Sequence, residues 1–267
     1  MDLGKLCMEA LRIAREAGAF IQKEAKDFTA KSVEYKGKNN LVSYVDKKAE
    51  DLIVEALTPL VQGAGFIAEE DSERFKGEKY NWIIDPLDGT TNFVHGIPVY
   101  STCIALMKDD DILLGVVYEM NLNECFYAWK GGGAWLNGSR IKVSETAELS
   151  KALMATGFPY YDYELMKEYM NVFEYCMRNT HGIRRLGSAA VDIAYVACGR
   201  FEGFYEYGLN AWDVAAGVCI VKEAGGKISD FSGGNNYIFG REIITSNAGT
   251  FNEFLKVVKK EFKKDHS

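Results

Sequence analysis

The chain is poor in the residues that build the commonest transition-metal and nucleophilic sites. Its three histidines, His95, His181 and His266, are scattered. Its six cysteines, Cys7, Cys103, Cys125, Cys176, Cys198 and Cys219, are never close in sequence. A zinc site needs tighter Cys/His spacing than this. Most of these cysteines sit among apolar residues, so they read as buried, reduced thiols acting as small hydrophobes. No Ser-His or Cys-His arrangement suggests a covalent nucleophile, and the phosphate-cradling motif of P-loop NTPases is missing. Basic charge is also short: the net charge is −7, which disfavours a nucleic-acid surface. No apolar run is long enough to span a bilayer. The opening residues, Met1 to Lys5, pass straight into a helical pattern instead of the apolar core of a signal peptide, so a cytoplasmic protein is expected.

What is present is an ordinary globular composition over 267 residues, 48% hydrophobic and 26% charged, enough for one large domain with approximate halves 1–150 and 151–267. Leu3, Leu6, Cys7, Ala10, Leu11, Ala14, Ala17 and Ile21 recur at helical spacing. A polar loop over 36–40 precedes a second helix over 47–57, opened by Asp46. Short apolar runs over 101–107, 112–118 and 124–128, separated by turn residues, predict an antiparallel meander that continues into a hairpin at Asn137-Gly138. The second half alternates strands (153–156, 182–186, 201–207, 227–229, 243–245) with helices (161–177, 188–198, 212–223, 252–264). Helices interleaved with strands predict layered helices and sheets.

The most informative segment is Trp82-Ile83-Ile84-Asp85-Pro86-Leu87-Asp88-Gly89-Thr90. An apolar run stops at a carboxylate, and a second carboxylate precedes Gly-Thr where a helix would start. Carboxylates gather hard cations. A helix start receives anions through its unpartnered N–H groups and the positive end of its macrodipole. Glu69 and Glu70 end another strand, and Asp213 opens the helix after Asn210-Ala211-Trp212. If these ends converge, the oxygen-only ligand set points to Mg²⁺.

Asp85-Pro86-Leu87-Asp88-Gly89-Thr90-Thr91-Asn92-Phe93-Val94-His95 resembles the signature of the inositol monophosphatase family. Leu209-Asn210-Ala211-Trp212-Asp213 resembles its C-terminal signature, Phe66 to Glu70 its upstream Glu-Glu, and Asn40 to Asp46 its Asp-Leu-Val-Thr-x-x-Asp element. Asn40 and Ser43 depart from that element at positions that are not metal ligands. The resemblance runs the length of the chain. It implies a layered αβαβα sandwich, the sugar-phosphatase fold, in a homodimer that hydrolyses a small-molecule phosphomonoester with Mg²⁺ and is sensitive to lithium. By position it implies that Glu69, Asp85, Asp88, Asp213 and the carbonyl of Leu87 hold metal. Gly89 and Thr90 would bind phosphate, and the Thr90 hydroxyl with Glu69 would orient the attacking water. Asp88, Gly187, Ser188, Ala189 and Glu206 would contact substrate, and Lys36 would lie near the metals. The implied substrate is myo-inositol 1-phosphate or a related polyol monophosphate. Fructose 1,6-bisphosphate and 3′-phosphoadenosine 5′-phosphate are the alternatives within the superfamily. A non-catalytic partner in transcription or RNA binding is the alternative of a different class.

Overall fold

The computed structural model describes residues 1–26, 33–37, 40–70, 76–159 and 162–262, with the backbone alone over 33–37 and 40–43. Its centre is a seven-stranded sheet in the order β3-β4-β5-β6-β7-β8-β9. These strands are β3 (Gly65–Ala68), β4 (Tyr80–Asp88), β5 (Ser101–Lys108), β6 (Asp111–Glu119), β7 (Glu124–Trp129), β8 (Gly133–Leu136) and β9 (Ser139–Ile141). Only β3 and β4 run parallel; the rest form the expected meander. The Asn137-Gly138 turn has positive φ at both residues, the conformation a two-residue hairpin of this hand requires.

Successive residues of a strand face opposite sides, so β4 feeds two cores at once. Trp82, Ile84 and Leu87 pack with helices α1 (Leu3–Ala25) and α2 (Tyr44–Leu57). Ile83 packs on the other side with α5 (Ala189–Ala197) and α6 (Ala211–Glu223). Beyond α5 and α6 lies a five-stranded sheet, β11-β10-β12-β14-β13. It comprises β10 (Leu153–Thr156), β11 (Gly182–Arg184), β12 (Gly203–Tyr207), β13 (Lys227–Ser229) and β14 (Glu242–Ser246). Its outer face is covered by α4 (Met166–Asn179) and α7 (Phe251–Glu261), through Tyr169, Val172, Phe254 and Val258. The result is the αβαβα sandwich. Sandwiched between two sheets, α6 is apolar nearly all round, as a fully buried helix must be. It lies so close to β6 that a Cβ on Gly115 would sit 2.4 Å from the carbonyl oxygen of Ala216.

Three expectations shift. The β4 strand does not stop at Asp85 but continues through Pro86 to Asp88. The second helix begins at Tyr44, with Asp46 inside its first turn. The expected 36–40 loop is instead part of a hairpin, β1 (Val33–Gly37) with β2 (Asn40–Ser43); residues 38 and 39 lie outside the described set, as does the Lys36 side chain.

Because Gly115 admits no side chain without displacing α6, Gly115→Ala is expected to destabilise the chain by roughly 1–3 kcal/mol. Urea unfolding checks it, and an unchanged midpoint would contradict this packing.

Candidate active site

Asp85 and Asp88 are three positions apart, an odd step, and in a regular strand they would point to opposite faces. The register shows why they do not. Asp85 pairs with Cys103 and Asp88 with Ser101, so three steps on β4 match two on β5. This is a β-bulge with one extra residue, and it turns both carboxylates toward the same side. Pro86 sits inside the irregular stretch, where its missing N–H leaves no ladder bond unmade. Its carbonyl is not orphaned: the Thr102 hydroxyl donates to it at 2.9 Å.

The chain then turns at Gly89, whose φ of +98° is left-handed and favours glycine. Helix α3 (Thr90–Val94) follows. It is only five residues long, so little macrodipole accumulates. The attraction for an anion rests on the N–H groups of its first turn, which have no intrahelical partner. Asp213 arrives from the other direction, in the first turn of α6, where its Oδ2 accepts the Asn210 N–H at 2.6 Å.

One carboxylate oxygen from each of Asp85, Asp88 and Asp213 lies within 4.8 Å of the others. In each residue one oxygen is already engaged. Leu87 N–H donates to Asp85 Oδ1 at 2.9 Å. The Ser188 hydroxyl and, at 2.8 Å, the Ala190 N–H donate to Asp88 Oδ2. Asn210 holds Asp213. Each side chain is thus oriented with a second oxygen to spare. Glu69, delivered by the end of β3, stands beside the trio: burial and then Asp213 raise its carboxyl, and it raises that of Asp85 in turn. Oxygen-only donors, three of them clustered, fit a hard divalent cation.

Burial raises every carboxyl here, and neighbouring acids add to it at Glu69, Asp85 and Asp213. Asp85 and Glu69 stand well above the usual range, first from burial and then from neighbouring acids. Burial lifts Asp213 to about 7, with Asp88 adding to it. Asp88 rises only to about 6, because the donors at Ser188 and the start of α5 offset its burial. Such a cluster is costly unless protons or cations neutralise it.

All of the proposed site residues meet at one cavity of about 220 Å³: Glu69, Asp85, Leu87, Asp88, Gly89, Thr90, Gly187, Ser188, Ala189, Glu206 and Asp213. His95, His181 and Glu70 do not line it; the Glu70 N–H donates instead to Glu50 of α2 at 2.9 Å. Glu206 is buried against Gly157, and burial, then Asp192 and Asp213, raise its carboxyl.

Three residues escaped the reading of the sequence. Asp46 accepts a hydrogen bond from Thr90 Oγ1 at 3.0 Å. The Asn40–Asp46 element was the available signal. Arg185 is the only lysine or arginine lining the cavity among the described residues, and its charge favours the ionised forms of Asp88, Asp192 and Glu206. Asp192 is buried beside it, with Oδ1 unpartnered. Nothing local in the sequence marks these two.

The profile of the inositol monophosphatase family matches residues 3–261. An inositol-1-monophosphatase from Mesorhizobium japonicum is 38% identical over 252 residues, covering 94% of either chain. The Nus factor SuhB of Escherichia coli K12 is 41% identical over 239 residues, covering 89% of this chain and 90% of that protein. Among solved structures, the extragenic suppressor protein suhB of Bartonella henselae superposes with a TM-score of 0.90 at 37% identity, covering 96% of this chain and 99% of that one.

A carboxyl raised on folding holds its proton more tightly in the folded chain. The stability it contributes is therefore fully present below about pH 4 and is lost as pH climbs through about 6 for Asp88 and 7 for Asp213. Cations compete with those protons. The rise in Tm caused by Mg²⁺ is expected to be small at about pH 5 and larger by several degrees at about pH 8. Thermal melts at the two pH values check this, and an equal rise at both would contradict it.

Proposed function

The chain belongs to the inositol monophosphatase family, and we propose that it is a Mg²⁺-dependent phosphomonoesterase whose substrate is myo-inositol 1-phosphate or a closely related polyol monophosphate. The observation that carries this reading is the Asp85, Asp88 and Asp213 trio, set beside the turn into α3 in one cavity. Asp85, Asp88, Asp213, Glu69 and the Leu87 carbonyl would hold the metal. Bound there, Mg²⁺ supplies Lewis-acid polarisation and neutralises charge on the phosphate.

The chain's own groups do the rest. The Gly89 and Thr90 N–H groups donate to phosphate oxygens. The Thr90 hydroxyl has one proton and two acceptors at 3.0 Å, Asp46 Oδ1 and the Leu87 carbonyl. A carboxylate is the stronger acceptor, so Thr90 accepts a proton from the attacking water while passing its own to Asp46. Glu69, across the cavity wall, is a second acceptor that orients that water. Glu206 accepts from a hydroxyl of the leaving polyol, with the Gly187 and Ala189 backbone beside it. A homodimer belongs to the same proposal, as does the cytoplasm, whose reducing conditions suit free, mostly buried thiols.

One other reading has an observation behind it: a relative of 41% identity is named a Nus factor. A partner in transcription, however, has no need of a clustered acid trio in a cavity with anion donors, and the site favours catalysis.

Phosphate release from a panel of polyol and nucleotide monophosphates, with and without Mg²⁺ and lithium, tests the proposal. Asp85→Asn and Asp213→Asn are expected to abolish Mg²⁺-dependent release while the chain stays folded. Thr90→Ala should lower kcat by about 10²–10⁴-fold, and Glu206→Ala should alter the ranking of substrates more than kcat on the simplest one. Full activity in either aspartate variant would overturn the metal assignment.

A further inference from the structure

The three clustered aspartates are held by different means. Asp85 is fixed by the N–H two residues ahead and Asp213 by the N–H three residues behind. Both holds are local and travel with the segment. Asp88 is held across 100 residues of sequence, by Ser188 and the first turn of α5. It is the one member of the trio whose orientation depends on how the α5 layer docks on the seven-stranded sheet. It also sits at the end of the bulge, where the ladder no longer constrains it regularly.

The Ser188 hydroxyl has no capacity left for anything else. A hydroxyl offers one proton and two lone pairs. Its proton goes to Asp88 Oδ2. Its lone pairs face the Val191 N–H at 3.3 Å and the Ser101 hydroxyl at 3.4 Å. The residue is 1% exposed. Ser101 is itself the cross-strand partner of Asp88, so the three side chains form one buried knot joining β4, β5 and α5. The family resemblance implies that the loop carrying Ser188 contacts substrate; the hydrogen bonds set the Ser188 side chain behind Asp88.

We infer that Ser188 is a positioning residue for Asp88: it holds Oδ2 back so that Oδ1 alone is presented to the cation, and its hydroxyl makes no contact with substrate. The inference rests on the metal-dependent reading above. It makes metal affinity, and not polyol recognition, the property Ser188 controls, and it ties that affinity to the packing of α5 against β4. Groups that orient metal ligands from behind commonly change metal affinity by about 10–100-fold when removed.

The test is Mg²⁺ binding by titration calorimetry on the full chain without substrate, followed by kinetics at saturating Mg²⁺. Ser188→Ala is expected to bind Mg²⁺ about tenfold more weakly, and Ser188→Thr, which keeps the hydroxyl, to return toward the parent affinity. At saturating Mg²⁺ the ratio of KM for inositol 1-phosphate to KM for glycerol 2-phosphate should be unchanged in Ser188→Ala. Thermal melts monitor folding; if the alanine variant does not fold, Ser188→Cys, with a weaker donor of similar shape, carries the same comparison. Parent-like Mg²⁺ affinity in Ser188→Ala, or a KM change that follows the leaving group, overturns the role. If the parent chain itself takes up no Mg²⁺, the metal reading falls and the role with it. If the parent binds, Asp85→Asn does not, and Ser188→Ala equals the parent, the role of Ser188 falls alone.

Discussion

One extra residue in β4 governs the rest of the site. Without the bulge between Asp85 and Asp88, alternation would send one carboxylate toward α1 and α2, into an apolar core, and leave the other alone on the α5–α6 side. With it, both meet Asp213 at the start of α6, and Leu87 takes the apolar side in place of an acid. The same irregularity gives Pro86 a place in a central strand. It also brings the chain to Gly89 in position to turn and open α3 beside the acids.

Convergence of this kind is electrostatically unfavourable in itself. Desolvation is the first cause of the raised value at every one of these carboxyls, and neighbouring acids add to it at Glu69, Asp85 and Asp213. The fold does not relieve this with basic side chains; Arg185 is the only one in the cavity among the described residues. It supplies backbone N–H groups and one serine hydroxyl instead, a single engaged oxygen for each aspartate. That arrangement orients the carboxylates without neutralising them. A site that is partly protonated alone and ionised when a divalent cation arrives is suited to capturing one. The layers serve this end: α6 brings Asp213, β3 and β4 bring Glu69, Asp85 and Asp88, and α5 brings Ser188 and the Ala190 N–H to hold Asp88 in place.

Much of this was legible in the sequence because its signals are local. Asp85 to Thr90 carries its chemistry in consecutive residues, and the meander and the Asn137-Gly138 turn follow from alternation and turn preference. The interleaving of helices with strands announces layers, but the five-layer αβαβα order is implied only by the family resemblance, and the pairing order by neither. What could not be read is what depends on distant pairing. Pro86 reads as the end of a strand, because nothing in the sequence announces that β5 will run one residue short opposite it. Asp46 reads as a helix opener, yet folding places it against Thr90, 44 residues away. Ser188 reads as a helix cap near the substrate, and it is a cap, donated to by Val191, but its proton goes to Asp88. Arg185 and Asp192 carry no local mark because only the docking of α5 brings them to the cavity wall.

The proposed chemistry depends on the bulge bringing Asp85, Asp88 and Asp213 together as one cation site. Crystals of the full chain soaked in Mn²⁺, which replaces Mg²⁺ at oxygen sites and scatters anomalously, test it most directly. An anomalous peak is expected at about 2.0–2.3 Å from one oxygen of each of the three aspartates. No peak among them, or a peak held by acids elsewhere on the chain, would contradict it.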